Sequence, residues 1–279
     1  MTRTTRPPIM TTRTITAAAV TAVFIAFGPL SQGTVHAQTP CVSLDAEAGF
    51  QSDASTVTWT DLSDQQGLSA FEAQYSARPE RVEAATPNGK PALRFNGAAN
   101  NPNRLTCKAD SSLTTAEGAS LSWVLVLKPG SLSGTNDTYL QTTLDGRNYA
   151  WGVYRDAKGF HAEVRATAGA RHISTLPIDA LADHATGWMV LTAVYDAAAQ
   201  TLQLFLTDAA GQTHAGGIAT GASLHPGEHK LTAMGTNTDR NNGAAMDLAA
   251  VRVFPAALDE SLREPLAQEL LAHHIATSE

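Results

Sequence analysis

Four side chains in one short stretch, Tyr154, His161, Glu163 and Arg165, are of the types that move protons and neutralise carboxylates. A tyrosine or histidine for proton transfer, with an arginine to hold a uronate carboxylate, is the equipment of β-elimination on an acidic polysaccharide. In that arrangement Tyr154 and His161 handle the proton, Arg165 neutralises the substrate acid and Glu163 orients a neighbour. They share a face only if the chain reverses at Asp156-Ala157-Lys158-Gly159 as a β-hairpin. Pairing Arg155 with Phe160 sets Tyr154 opposite His161, Gly152 opposite Glu163 and Ala150 opposite Arg165. Trp151, Val153, Phe160, Ala162 and Val164 then fall on the other face, an apolar set that belongs in a core. The four polar residues stand above a floor of Gly and Ala. An ordinary solvated sheet face has the same composition, so catalytic and non-catalytic readings both stay open.

Other chemistry is thinner. No strand carries the closely spaced carboxylates that would supply a glycosidase with nucleophile and acid. Asn237, Asp239 and Asn241 place oxygen-bearing side chains at alternate positions in a loop closed by Gly243, a pattern suited to calcium or to a plain polar turn. Thr135-Asn136-Asp137, with Asp145 soon after, is a second polar stretch that could contribute to such a site. His225 and His229 have the spacing of a helical zinc pair, but Pro226 and Gly227 between them forbid the helix. There is no Gly-rich phosphate loop and no G-x-S-x-G elbow, so nucleotide binding and serine hydrolysis have no support.

The first 37 residues read as a secretory signal peptide. An apolar run over 15–30 follows Arg3, Arg6 and Arg13, no acidic residue interrupts it, and Val35-His36-Ala37 is a small-x-small exit. The run is short for a membrane span. A start at Met10 would make the leader more compact. Removal of 37 of the 279 residues takes away three arginines and no acid, leaving 242 residues and moving the net charge from −7 to −10. The expected location is secreted or periplasmic, with no membrane span after leader cleavage. An acidic domain without a basic tract excludes nucleic acid as a natural partner and disfavours anionic surfaces. Cys41 and Cys107 form one even pair in an oxidising compartment, so a disulfide is expected, two buried thiols being the alternative.

Positioning these residues falls to β-strands. Short period-two or β-branched runs at 57–60, 92–96, 121–127, 149–154, 160–166, 188–195, 201–207 and 249–254 are separated by Gly, Asn, Asp and Pro. That rhythm predicts an all-β, two-sheet antiparallel jelly-roll sandwich over about 40–258, with 38–279 as a single domain. One short C-terminal helix is expected on its edge or end. Ser261 with Glu264 makes a capping box, Leu262, Leu266, Leu270 and Leu271 line one side, and Pro265 favours that late start.

The same residues carry a resemblance. Leu44-Asp45-Ala46, then Trp59-Thr60-Asp61-Leu62-Ser63, resembles the entry segment of LamG-like jelly-roll proteins in the concanavalin A-like lectin/glucanase superfamily. Asn88-Gly89-Lys90-Pro91-Ala92-Leu93-Arg94-Phe95-Asn96-Gly97 is similar to that family's next block. Residues 188–196 resemble its long central strand, and 246–259 with the leucine-rich helix resemble its closing signature. Met246 and Ala250 stand where many relatives have Gly and Glu, and Asp208-Ala209-Ala210-Gly211 replaces an expected Asp-Gly turn. The resemblance implies a sandwich with a concave face and no single activity, since the superfamily holds lectins, adhesion modules, hydrolases and lyases. The expectation is a secreted non-catalytic carbohydrate-binding or adhesion module whose partner is an extracellular glycan or surface protein. The alternatives are a polysaccharide lyase working through Tyr154 and His161, and a structural envelope protein that binds a protein partner. Trp59, Trp123, Trp151 and Trp188 are expected to be buried and not to form a sugar platform.

Overall fold

The computed structural model describes residues 38–53, 56–63, 71–73, 78–98, 103–107, 116–132, 135–143, 149–167, 169–181, 186–227, 231–236 and 243–275. The leader and Asn237, Asp239 and Asn241 lie outside the described residues.

The first strands are β1 (Val42–Asp45), β2 (Phe50–Ser52), β3 (Val57–Trp59), β4 (Phe71–Ala73), β5 (Glu80–Val82) and β6 (Ala92–Asn96). Next come β7 (Leu105–Cys107), β8 (Leu121–Pro129), β9 (Asn136–Thr143), β10 (Tyr149–Asp156), β11 (Gly159–Arg165) and β12 (Arg171–Pro177). The last are β13 (Met189–Asp196), β14 (Thr201–Asp208), β15 (Thr213–Ala215), β16 (Ala219–Thr220), β17 (Leu231–Met234) and β18 (Ala245–Phe254), followed by helix α1 (Glu260–His274). They form two sheets. One runs β15-β14-β13-β8-β18-β6-β5, with β1 also on β18 and β16 on β14; the other runs β12-β11-β10-β9-β17-β7-β4-β3-β2. The neighbouring strands pair antiparallel, as the strand rhythm predicts.

The two sheets differ in what their outer faces meet. Along β8, Leu121, Trp123, Leu125 and Leu127 enter the core between the sheets, while Val124 and Val126 enter a second apolar cluster on the far side. That second cluster includes Val190, Ala250 and Phe254 from the sheet and Ala267, Leu270, Leu271 and Ile275 from the C-terminal segment. Helix α1 therefore lies on the face of the first sheet, not on its edge or end as the sequence suggests. Burial on both faces explains why β8 reads as an almost unbroken apolar run, since neither side of the strand needs polar residues. The helix also begins earlier than the capping box predicts. Asp259 is the N-cap, accepting from Leu262 N at 3.1 Å, and Ser261 Oγ donates to Asp259 Oδ1 at 2.6 Å. Asp is as good an N-cap as Ser, and Pro265 is carried inside the helix, five residues beyond its first.

The entry motif serves the fold. Asp61 accepts Ser43 N at 2.7 Å and Ser63 N at 2.9 Å, while Trp59 Nε1 donates to Asp45 O at 2.9 Å. Asp61 thus ties β1 to the turn after β3. Trp59, Trp123, Trp151 and Trp188 are all buried, as expected. The expected disulfide is absent. No bond joins Cys41, which precedes β1 in the first sheet, to Cys107, which ends β7 in the second; both are buried in the core. Burial pushes the Cys41 thiol up to about 11, so it behaves as an inert apolar group.

Candidate functional site

The outer face of the second sheet carries the polar residues. The hairpin has the register read from sequence: Tyr154 opposite His161, Gly152 opposite Glu163, and Arg155 opposite Phe160. Val153, Phe160, Ala162 and Val164 enter the core, so Tyr154, His161, Glu163 and Arg165 do share a face.

Its floor differs from the expected one. The β10–β11 ladder ends at Trp151–Val164, and the β9–β10 register shifts between Tyr149 and Trp151. This irregularity turns Ala150 into the core and leaves Tyr149 on the polar side, where Arg165 stacks over its ring at 4.8 Å. The Tyr149 hydroxyl lies over Gly152, 2.4 Å from where a Cβ would stand. Any other residue at 152 would displace it. What Gly152 makes room for is a tyrosine, not a ligand.

Around that floor the charges are already matched. Glu163, 1 % exposed, accepts from Arg165 Nε at 2.7 Å and from Arg171 Nε and Nη2 at 2.8 and 2.7 Å. Arg171 stands on β12 beside Arg165 and was missed in the sequence, because 171–177 has no two-residue alternation of apolar and polar residues to mark a strand. His161, 5 % exposed, stacks under Tyr154 with ring centroids 4.7 Å apart. Its Nε2 donates to Asp156 Oδ1 at 2.8 Å, and its Nδ1 lies 3.0 Å from Thr175 Oγ1. Burial pushes the Asp156 carboxyl up, but hydrogen bonds from His161 and from the N–H groups of Lys158 and Gly159 outweigh it and hold the group below its usual range. Burial, reinforced by the Glu163 charge, raises the Tyr154 phenol to about 12.

These contacts bear on chemistry. Both His161 nitrogens are engaged within the protein, the Tyr154 phenol resists ionisation, and Glu163 holds both arginines. Proton transfer would have to break these contacts first. Recognition would not: the Tyr154 ring and the half-exposed Arg171 guanidinium are held ready at the surface.

The second polar stretch is also committed. Asp137 lies within β9, fully buried, and accepts from Arg155 Nη2 at 3.2 Å, so it is not placed to ligate a cation with a surface loop. Asp145 and His229 lie outside the described residues. His225 Nδ1 lies 2.6 Å from Pro226 O.

A separate titratable cluster sits at the end of α1. One ligand atom each from Asp45, His273 and His274 lie within 4.8 Å of one another. Burial pushes the His274 imidazole down to about 4. The Asn-Gly-Lys block caps this helix end: Asn88 Nδ2 donates to Ala272 O at 3.1 Å and His273 O at 2.8 Å.

No protein-family model matches this chain, and no curated protein matches it. Solved structures do. The binding domain of Paraclostridial Mosquitocidal Protein 1 is similar over 83 % of this chain and 52 % of its own, at 13 % identity and a TM-score of 0.60. The binding domain of botulinum neurotoxin serotype G aligns over 83 % and 51 %, at 11 % identity and a TM-score of 0.58. The serotype D ligand-binding domain, solved in complex with N-acetylneuraminic acid, aligns over 83 % and 51 %, at 10 % identity and a TM-score of 0.57. The chain spans about half the length of these structures, and at such identities the likeness establishes one thing: a β-sandwich of the kind found in those binding domains.

Proposed function

We propose that this chain is an extracytoplasmic, non-catalytic glycan-binding module of the concanavalin A-like, LamG-like type, exported by its first 37 residues. The observation that carries this reading is the outer face of β10–β12. There a buried carboxylate holds two guanidinium groups beside a tyrosine stacked on histidine. An aromatic ring with a fixed hydrogen-bonding fork suits a sugar, whose apolar ring face and hydroxyls ask for both. The likeness to a ligand-binding domain solved with N-acetylneuraminic acid supports the same class of ligand. Calcium held by Asn237, Asp239 and Asn241 belongs to this proposal as an aid to binding. The full secreted chain on a glycan array, with calcium and with chelator, tests it. Binding of a defined glycan set is expected, and an empty array in both conditions would overturn the reading. A protein partner captured in a pull-down beside an empty array would favour the envelope-protein alternative.

A further inference from the structure

We propose that Asp45, His273 and His274 form a binding site for a zinc-type divalent cation that ties the end of α1 to β1. The site is independent of the glycan-binding face and lies on the other sheet. Two imidazoles and one carboxylate are a donor set for zinc or cobalt rather than for calcium or magnesium, which prefer all-oxygen shells.

His274 carries the inference. Its side chain is fully buried, and neither Nδ1 nor Nε2 has a hydrogen-bond partner. A buried imidazole is normally satisfied at one nitrogen at least. Here the nearest carboxylate oxygen, Asp45 Oδ2, stands 3.6 Å from Nε2, too far for a hydrogen bond. A cation between them would engage both. Tetrahedral zinc places its donors about 3.4 Å apart, from metal–donor distances of roughly 2.1 Å, so donors already within 4.8 Å need only small rotations to close on it.

The surroundings hold the donors in place. Glu47 N donates to Asp45 Oδ1 at 2.9 Å, which fixes the carboxylate and leaves Oδ2 turned to the histidines. The His273 ring stands at 90° to that of His274 with centroids 4.5 Å apart, and its Nε2 lies 3.0 Å from Glu47 Oε2. A carboxylate behind a ligating histidine orients the ring and raises its basicity. Asn88 pins the helix end that bears both rings. Two cations stand near: Lys90 Nζ is 2.8 Å from Glu47 Oε1, and Arg252 Nη2 is 3.4 Å from Asp45 Oδ2. Arg252 can leave Asp45 because its Nη1 also donates to the carbonyls of Leu44 and Val251. Three protein ligands leave the fourth position to water. Half-exposed His273 gives a route in from solvent.

The test uses the tag-free full chain, stripped with chelator and titrated with zinc chloride, then with cobalt chloride for its visible spectrum. One equivalent should bind, cobalt should give the intense bands of a tetrahedral site, and saturating zinc should raise the melting temperature on the order of 5–10 °C. His273→Ala removes an exposed ligand and spares the core. It should weaken zinc binding at least tenfold and abolish the thermal shift, while His214→Ala, remote from the site, changes neither. Absence of binding to the intact chain would overturn the proposal. So would zinc binding and a thermal shift that survive His273→Ala.

Discussion

The two polar clusters of this molecule are built on opposite logic. On the β10–β12 face Glu163 holds Arg165 and Arg171, and His161 is engaged at both nitrogens; the buried Tyr149 hydroxyl beside them is the one group of that floor left without a hydrogen bond among the described residues. At the end of α1 a fully buried histidine has no hydrogen bond at either nitrogen. A satisfied network is rigid and presents a fixed surface, which suits recognition of something that arrives from outside. An unsatisfied buried group asks for a partner, which suits an ion that becomes part of the fold. A cluster of titratable residues therefore says little until its hydrogen bonds are accounted for.

The largest expected stability effect comes from breaking the satisfied network. Glu163→Ala should cost about 2 kcal/mol in urea denaturation, less than the roughly 3–5 kcal/mol of a fully buried pair because Arg165 and Arg171 reach solvent. Its counterpart at the other cluster, Glu47→Ala, should cost well under about 1 kcal/mol, because that carboxylate is exposed. Equal losses at the two positions would erase the contrast.

A pH measurement sharpens it further. The Tyr154 phenol ionises near 12 in the folded state and near 10 when unfolded, so the folded protein keeps a proton that the unfolded chain gives up. Stability contributed by this group is complete below about pH 10 and is lost as pH rises towards 12. Tyr154→Phe should flatten the alkaline slope by up to one proton, about 1.4 kcal/mol per pH unit. An unchanged slope would mean that Tyr154 is not held as described.

The smallest effect expected is none. With no bond between Cys41 and Cys107, reducing agent should leave the melting temperature where it is. A fall equivalent to about 2–4 kcal/mol would restore the disulfide.

The hairpin register was legible because alternation from Trp151 to Val164 allows one apolar face and because Asp156–Gly159 marks the turn. Tyr149 was not, since the irregularity before Trp151 breaks the two-residue period that sequence reading relies on. Arg171 was missed because β12 was not read as a strand, so its register to Glu163 could not be derived. The burial of β8 on both faces was written in its unbroken apolar run, which would have placed α1 on the sheet face. The disulfide was inferred from a count, and counting cannot reveal that each cysteine fills a core position of its own. The Asp45–His273–His274 cluster joins residues more than 220 positions apart, and only the docking of α1 over the first sheet brings them together.

The proposed division of labour has the β10–β12 face binding glycans and the α1 end taking no part in it. A glycan array probed in parallel with the intact chain, Tyr154→Ala and His273→Ala tests it most directly. One set of glycans should be bound by the intact chain and by His273→Ala, and lost with Tyr154→Ala. The same glycans retained by Tyr154→Ala, or lost only with His273→Ala, would contradict it.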